Sequence, residues 1–454
     1  MSDPGESRLW HKGAATDESI HRFTVGDDPR WDAHLVHWDC LGSAAHARTL
    51  HRAGVLSDDE LRSLLDGLAE IDALARDGRF GIPPELEDCH TAIEAHLTRT
   101  CGEAGAKIHA GRSRNDQVAT AMRLLMRSRA LEWIDLLRAF AETALFRMGR
   151  DGAAPMPGYT HLQPAMPSSV GQWLHAIAEG ALEQVRACLD LLDRLDCCPL
   201  GTGAGYGVPL PLDRKFTACL LGFSRVQRSP IDAQNSRGRM EKYFARVAAD
   251  IGAVLERLGA DVVLFAADEF GFFSLPEALT TGSSIMPQKR NPDAAELLRA
   301  HGARLRARVA EIESICGKLG SGYHRDLQLT KEPAIRCGQE TAELLRVASR
   351  VLECLEFQRE RMSVAMRPEL YATHAALELV RQGVPFREAY RRVAGQVRSG
   401  AFGEEQAKPY RAAAAVVSAE TIAAIRADAA HLGALAATVR ERVATAERTL
   451  LATR

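Results

Sequence analysis

The stretch from Gly282 to Pro292, Gly-Ser-Ser-Ile-Met-Pro-Gln-Lys-Arg-Asn-Pro, places two hydroxyls, an ammonium and a helix-start signal in one short loop. That set suits removal of a proton from a carbon beside a carboxylate. Such a step adds negative charge to a group that is already anionic, and it demands strong electrostatic stabilisation. Asn291 is expected as an N-cap, Pro292 at the first helical position, where no N–H is needed, and Asp293 near the positive helix end. The free amides of that helix start, with Lys289 close in sequence, could hold an anion or a developing negative charge. A cap alone describes many loops between helices; the loop as a whole asks for a chemical role.

Four further segments carry polar groups that a plain helical bundle has no use for. They are Glu87-Asp88-Cys89-His90-Thr91, His109 to Gln117 with its Arg112-Ser113-Arg114-Asn115-Asp116 centre, Gly158-Tyr159-Thr160-His161-Leu162-Gln163-Pro164, and Tyr323 to Lys331. Each falls at the end of an expected long helix or in a connection, where ligand groups are commonly mounted on rigid rods. Singly, each has an ordinary explanation: His90 and His161 as satisfied structural histidines, Arg112 and Arg114 as surface ion-pairing residues, Asn115 as a helix cap, Tyr323 as packing. Together they offer cations for carboxylates (Arg112, Arg114, Lys289, Lys331), amides and hydroxyls to orient a ligand, and a histidine able to titrate near neutrality.

Helices must position these groups. Apolar residues recur at spacings of three and four in five long segments and period-two alternation is scarce, which predicts an all-α fold. The first segment begins after Asn115, with a stripe of Met122, Met126, Ala130, Trp133, Leu137, Phe140, Ala144 and Met148. The others run from Ser169 to about Leu195, from about Arg239 to Ala267 with a stripe of Phe244, Val247, Ile251, Leu255, Leu258, Val262 and Phe265, from Asp293 to about Lys318 and from about Pro333 to Met362. Five helices of this length imply a bundle. Shorter amphipathic helices are expected over roughly the first 110 and last 90 residues, with joints at Gly81-Ile82-Pro83-Pro84 and near Arg367-Pro368. Three helical domains follow, over residues 1–111, 112–362 and 363–454. Apolar stripes occupy more than one face of several helices, so homo-oligomerisation through the long helices is expected. The Gly-rich turn Gly201–Gly207 lacks a Gly-Lys-Ser/Thr ending and a preceding strand, and is expected to connect helices and not to cradle phosphate.

With 454 residues, 46% of them hydrophobic, the chain can fill a sizeable core, and its net charge of −2 gives no positive field toward nucleic acid or an anionic membrane. Its 10 cysteines include no Cys-x-x-Cys pair and no zinc-spaced cluster, which fits reduced, buried thiols. The polar start Met1–Ser7 lacks the regions of a secretory signal, and no uninterrupted apolar run reaches the roughly 18 residues of a membrane span. A cytoplasmic protein acting on a small molecule is expected.

The motifs taken together resemble argininosuccinate lyase, of the fumarase/aspartase superfamily of elimination enzymes. The likeness runs from about Phe23 to about Val397. It rests on Gly42-Ser43 followed by Ala45-His46-Ala47-Arg48, the Glu-Asp-x-His element, the Gly111–Gln117 run, Gly158–Gln163, the Gly282–Pro292 loop and Pro385-Phe386-Arg387-Glu388-Ala389. The loop points to the superfamily; Gln288-Lys289 within it, with the Arg-Ser-Arg-Asn-Asp-Gln run, points to the argininosuccinate branch.

The resemblance implies a homotetramer whose five-helix domains merge into a twenty-helix core, with each active site shared among three subunits. It also implies cleavage of argininosuccinate to fumarate and arginine with no metal or organic cofactor. Ser283 is then the base, a choice over Ser284 that the residues alone do not make, and Lys289 with the loop amides holds the aci-carboxylate. His161 becomes the acid or proton relay, with Glu296 as its orienter. Ser43, Asn115, Thr160, Asn291, Tyr323, Gln328 and Lys331 are expected on the substrate, with His90, Arg114 and Arg237 nearby. Ala110, Gly238, His374 and the tail around Leu432-Gly433-Ala434 depart from the family pattern and bear on specificity and C-terminal closure. Two other readings fit the same motifs: a lyase releasing another amine from an N-substituted aspartate, and a catalytically silent relative like the lens crystallins.

Overall fold

Each of the five long apolar stripes forms a helix in the computed structural model, which describes residues 17–413 and 417–451. Met1–Ser7, read above for targeting, lies outside those residues. The first bundle helix, Arg114–Asp151, has 38 residues and is about 57 Å long at 1.5 Å per residue. Every member of its predicted stripe, from Met122 to Met148, is buried. The others are Val170–Leu195, Arg239–Ala266, Asp293–Cys316 and Lys331–Cys354. The first packs along the second and the third along the fourth, while the fifth touches the first, third and fourth. A stacked pair, Trp133 on Phe244 with centroids 4.4 Å apart, and a Trp133 Nε1 bond to Gly338 O at 3.4 Å lock three of these helices together.

The fifth helix stops at Cys354 and not at the expected Met362. Buried Arg147 of the first helix explains the stop: its Nη1 donates to Leu352 O and Glu353 O, both at 2.8 Å, and its Nη2 to Leu355 O. The carbonyls that would otherwise continue the helix are thereby satisfied. Glu356–Phe357 then pairs with Phe273–Ser274, and a separate helix runs over Arg359–Ala365.

The end of the chain differs from the expectation of short helices. Ala419–Leu450 is one helix of 32 residues, and its Ile425, Leu432, Ala436 and Leu450 belong to the bundle core. One 18-residue window of it is apolar enough for a membrane span by composition. Yet Arg426, Arg440 and Arg442 pair with Glu142, Asp135 and Asp196 along the bundle's flank. The departing Leu432-Gly433-Ala434 segment lies within this helix. In the sequence between the fifth bundle helix and this one, Met366, Leu370, Tyr371, Ala376, Val393, Phe402 and Ala407 form a small core of their own. His374 sits there, 6.1 Å from the rings of both Tyr371 and Tyr410.

A hairpin joins the first two bundle helices, Pro155–Thr160 against Gln163–Ser169. Pro155, Pro157, Pro164 and Pro167 hid these strands from a periodicity search, since proline counts against a strand. The Gly-rich turn is the expected connection. Asp116 Oδ2 accepts from Gly201 N at 3.0 Å and Gly203 N at 2.8 Å, tying it to the start of the first bundle helix.

Candidate active site

The starts of the first and fifth bundle helices and the segment just before the third meet at a recess of about 310 Å³, whose walls include Asp28, Asn115, Arg237, Tyr323, Gln328 and Lys331. Its size fits a small ligand. Local sequence sets each group in place. Ser113 caps the first helix, accepting from Asn115 N at 3.3 Å, and Asp116 Oδ1 accepts from Ser113 N at 2.9 Å. The capping box leaves the Asn115 side chain to the recess. Arg237 precedes Gly238, whose φ of +74° and a virtual Cβ only 2.1 Å from Cys316 Sγ admit glycine alone. That requirement accounts for Gly238 where relatives were expected to carry aspartate. A 3₁₀ turn, Arg325–Thr330, presents Gln328 just before Lys331 opens the fifth helix. Arg237 lies 5.5 Å from the Tyr323 ring centroid and donates through Nη2 to Leu327 O at 3.3 Å.

Charges inside and behind the recess are heavily paired. Buried Lys331 Nζ is 2.6 Å from Asp32 Oδ1 and 2.8 Å from Asp28 Oδ2. Lys331 is therefore not the spare cation the sequence suggested. Burial opposes its charge, but Asp32 and Asp28 outweigh burial and raise its pKa. Burial lifts Asp28 to about 6 against the pull of Lys331, whereas in Asp32 burial is overcome by Lys331 and His90 and the pKa falls. His90 lies deeper, with Nδ1 3.1 Å from Asp39 Oδ1; burial opposes its protonation, and Asp39 with Asp88 and Asp32 raises it nonetheless. Arg114 sits 3.2 Å from Asp88. Ser43 is fully buried and accepts from Arg112 Nη1 at 2.8 Å. Ala110, the other departure nearby, turns its carbonyl to His46 Nε2 at 2.8 Å. Asp32, Cys89 and His90 bring donor atoms within 4.8 Å of one another, a possible metal set. The Lys331 ammonium on Asp32 already supplies positive charge there, and burial drives the Cys89 thiol well above its ordinary pKa, toward the protonated form.

The expected chemical groups stand elsewhere on the chain. In the Gly282–Pro292 loop, Thr281 N bonds Asn291 O at 3.2 Å and Asn291 N returns to Thr281 O at 2.8 Å. That bridge consumes the backbone of Asn291, so the helix starts one residue later than expected, at Asp293, with Pro292 as the cap position and no side-chain cap. Asn291 is not the N-cap. Within the loop Ser283 Oγ faces the amides of Ile285 at 3.4 Å and Met286 at 3.2 Å. Two N–H groups aimed at one hydroxyl oxygen favour its anionic form. Lys289 is exposed and forms no ion pair among the described residues, and Glu296 is exposed one turn into the helix.

Thr160 and His161 are exposed at the hairpin tip. His161 and Leu162 have φ of +55° and +57°. Two left-handed central residues make a type I′ turn, usually filled by Asn-Gly. Imposing it on His and Leu stores roughly 1–2 kcal/mol of strain per residue, the kind of outlier associated with functional sites.

One chain thus gathers Arg114, Asn115, Arg237, Tyr323, Gln328 and Lys331 around the recess, keeps Ser43 and His90 buried outside its lining, and leaves Thr160, His161, Ser283, Lys289, Asn291 and Glu296 off its walls. Sequence reasoning missed Asp28. Its only trace was Asp27-Asp28-Pro29, an ordinary helix start, and its partner Lys331 is remote in sequence.

Five long helices packed in a bundle, with polar groups gathered at their ends, define the fold as all-α. A family model described as Lyase matches residues 10–306. A solved EDDS lyase in complex with formate superposes with a TM-score of 0.78 at 24% identity, over 96% of this chain and 95% of that one. The argininosuccinate lyase of Sorangium cellulosum is 47% identical over 88% of this chain and 93% of its own length. That of Thermotoga neapolitana is 42% identical over 85% and 97%. The chain belongs to the argininosuccinate lyase family of the fumarase/aspartase superfamily.

Proposed function

We propose that the protein cleaves argininosuccinate to fumarate and arginine by anti elimination through an aci-carboxylate carbanion. The observation that carries this reading is the loop at Ser283, whose hydroxyl oxygen faces two backbone amides in a segment that also carries Lys289. Ser283, as alkoxide, removes the proton beside the succinyl carboxylate, and Lys289 with the loop amides holds the charge that develops. His161, oriented by Glu296, relays a proton to the departing guanidino nitrogen. Asn115, Thr160, Asn291, Tyr323, Gln328 and Arg237 hold the substrate; Lys331, Arg114, His90 and Ser43 shape the recess from behind or beside it.

The site is shared among subunits of a homotetramer. Two observations support this: the groups proposed for chemistry are off the walls of the recess in a single chain, and the fourth bundle helix buries only Ala295, Leu298, Gly302, Leu305 and Ile312 of its 24 residues. A helix so exposed suits a partner's surface. The subunits form three domains near 1–111, 112–362 and 363–454, and work in the cytoplasm without a cofactor.

Fumarate release from argininosuccinate by the purified protein, followed by ultraviolet absorbance, tests the reading. Turnover is expected; no turnover with argininosuccinate, or turnover only with another N-substituted aspartate, overturns it. Sedimentation at micromolar protein should give a tetramer, and a monomer would remove the basis for shared sites.

A further inference from the structure

The recess has two ends of opposite character. At one, Arg237 leans on Tyr323, with no carboxylate in ion-pair range among the described residues. At the other, one ammonium, Lys331, faces two carboxylates, Asp28 and Asp32. The two acids are not equivalent. Asp32 is fully buried, with Oδ1 on Lys331 and Oδ2 accepting from Cys89 N at 3.1 Å. Asp28 belongs to the recess wall, its side chain is 14% exposed, and only one of its oxygens is engaged, by Lys331 at 2.8 Å. The other takes no hydrogen bond from the described residues.

Nearby groups do not fill that vacancy. Arg114 is committed to Asp88 at 3.2 Å. The Gln328 Nε2 donates to Thr24 O at 3.1 Å and Val25 O at 3.2 Å. A half-satisfied carboxylate at the wall of a small recess calls for a donor from the ligand, and a cationic donor most of all, because a charge-assisted bond is about twice as strong as a neutral one.

We propose that Asp28 is a specificity-determining residue that recognises a cationic ammonium on the leaving amine, in the proposed reaction the α-ammonium of the arginine moiety. The inference rests on that reaction, and it adds the part of the substrate that Asp28 reads. Lys331 holds Asp28 in place; the free carboxylate oxygen meets the ammonium; the substrate's carboxylates lie toward Arg237 and the partner loop. An amine without an ammonium at this end leaves Asp28 partly unpaired and binds poorly.

Three substrates separate this from a general role in shape: argininosuccinate, the analogue whose leaving group is agmatine (ammonium kept, carboxylate removed), and the analogue whose leaving group is 5-guanidinopentanoate (carboxylate kept, ammonium removed). In the wild-type protein the third should have the highest KM. Asp28→Asn, close to isosteric, should raise KM for the first two by roughly tenfold to a hundredfold, leave the third within about twofold, and change kcat little. Equal KM increases for all three, or no increase with argininosuccinate, overturn the proposal. If the wild-type protein releases no fumarate from any of them, the proposed reaction fails by itself. Calorimetric binding of agmatine and of 5-guanidinopentanoate to the wild type and to Asp28→Asn then decides Asp28 separately: agmatine should lose affinity selectively in the variant, and a uniform loss or none overturns the assignment.

Discussion

The recess at the helix starts and the Gly282–Pro292 loop are built on opposite principles. In and behind the recess most charges have an ion-pair partner among the described residues, Arg237 apart: Lys331 has two carboxylates, Arg114 has Asp88, and the deeper His90 has Asp39. The loop's groups are open, Lys289 being exposed without an ion pair among the described residues and Ser283 answering only to its own loop amides. Burial explains the contrast. A buried charge is costly unless it is paired or hydrogen-bonded, which ties these side chains to one another. An exposed loop carries little such constraint and can meet a ligand from outside its own chain.

Deleting one group from each region separates reactivity from stability. Ser283→Ala should lower fumarate release on the order of a thousandfold or more, with thermal unfolding unchanged, since that hydroxyl bonds only within an exposed loop. A residual rate near that of the wild type would show that another group is the base. Lys331→Met should do the reverse to the fold. It strands Asp28 and Asp32 without their cation and should cost about 3–5 kcal/mol in denaturation experiments. The matching deletion in the loop, Lys289→Met, should leave stability within about 0.5 kcal/mol while reducing activity. If Lys331→Met were as stable as the wild type, the recess would not be the tightly paired region its geometry describes.

The same division decides what could be read from sequence. The helices were legible because burial imposes a period: the stripe from Met122 to Met148 and that from Phe244 to Phe265 are buried save for the partly buried Val247. The end of the fifth helix was not, because Arg147, a distant residue, satisfies its carbonyls. The Ala419–Leu450 helix was missed because its residues divide between bundle contacts and arginine pairs along the flank, without one clean stripe. In the site, Asn115, Tyr323, Gln328 and Lys331 were found through motif residues clustered in sequence. Asp28 and the full pairing of Lys331 were not, because they depend on contacts between segments about 300 residues apart. The Asn291 cap failed for a related reason, a bridge to Thr281 that no local rule anticipates.

The hairpin tip offers a third, smaller test of the open region. His161 occupies a left-handed turn position that asparagine also tolerates. His161→Asn should therefore keep the turn and remove only the imidazole, lowering turnover on the order of a hundredfold with little change in melting temperature. Full activity would remove His161 from the chemistry and leave its strained backbone without a catalytic reason.

The smallest effect sharpens the account of the paired region through pH. Burial first, with Asp32 and Asp88 adding to it and Lys331 opposing, lifts Asp28 to about 6, against about 3.9 in an unfolded chain. Between those values the native state holds a proton that the unfolded state has released, so stability falls as pH rises through that window. Asp28→Asn lacks this proton. Its loss of the Lys331 contact shifts stability at every pH, but the difference between variant and wild type should move in the variant's favour by about 1–3 kcal/mol from pH 4 to pH 6.5. Asp32 and His90 titrate in both proteins and largely cancel in that difference. Parallel stability profiles would mean that Asp28 is ionised throughout, fully held by Lys331.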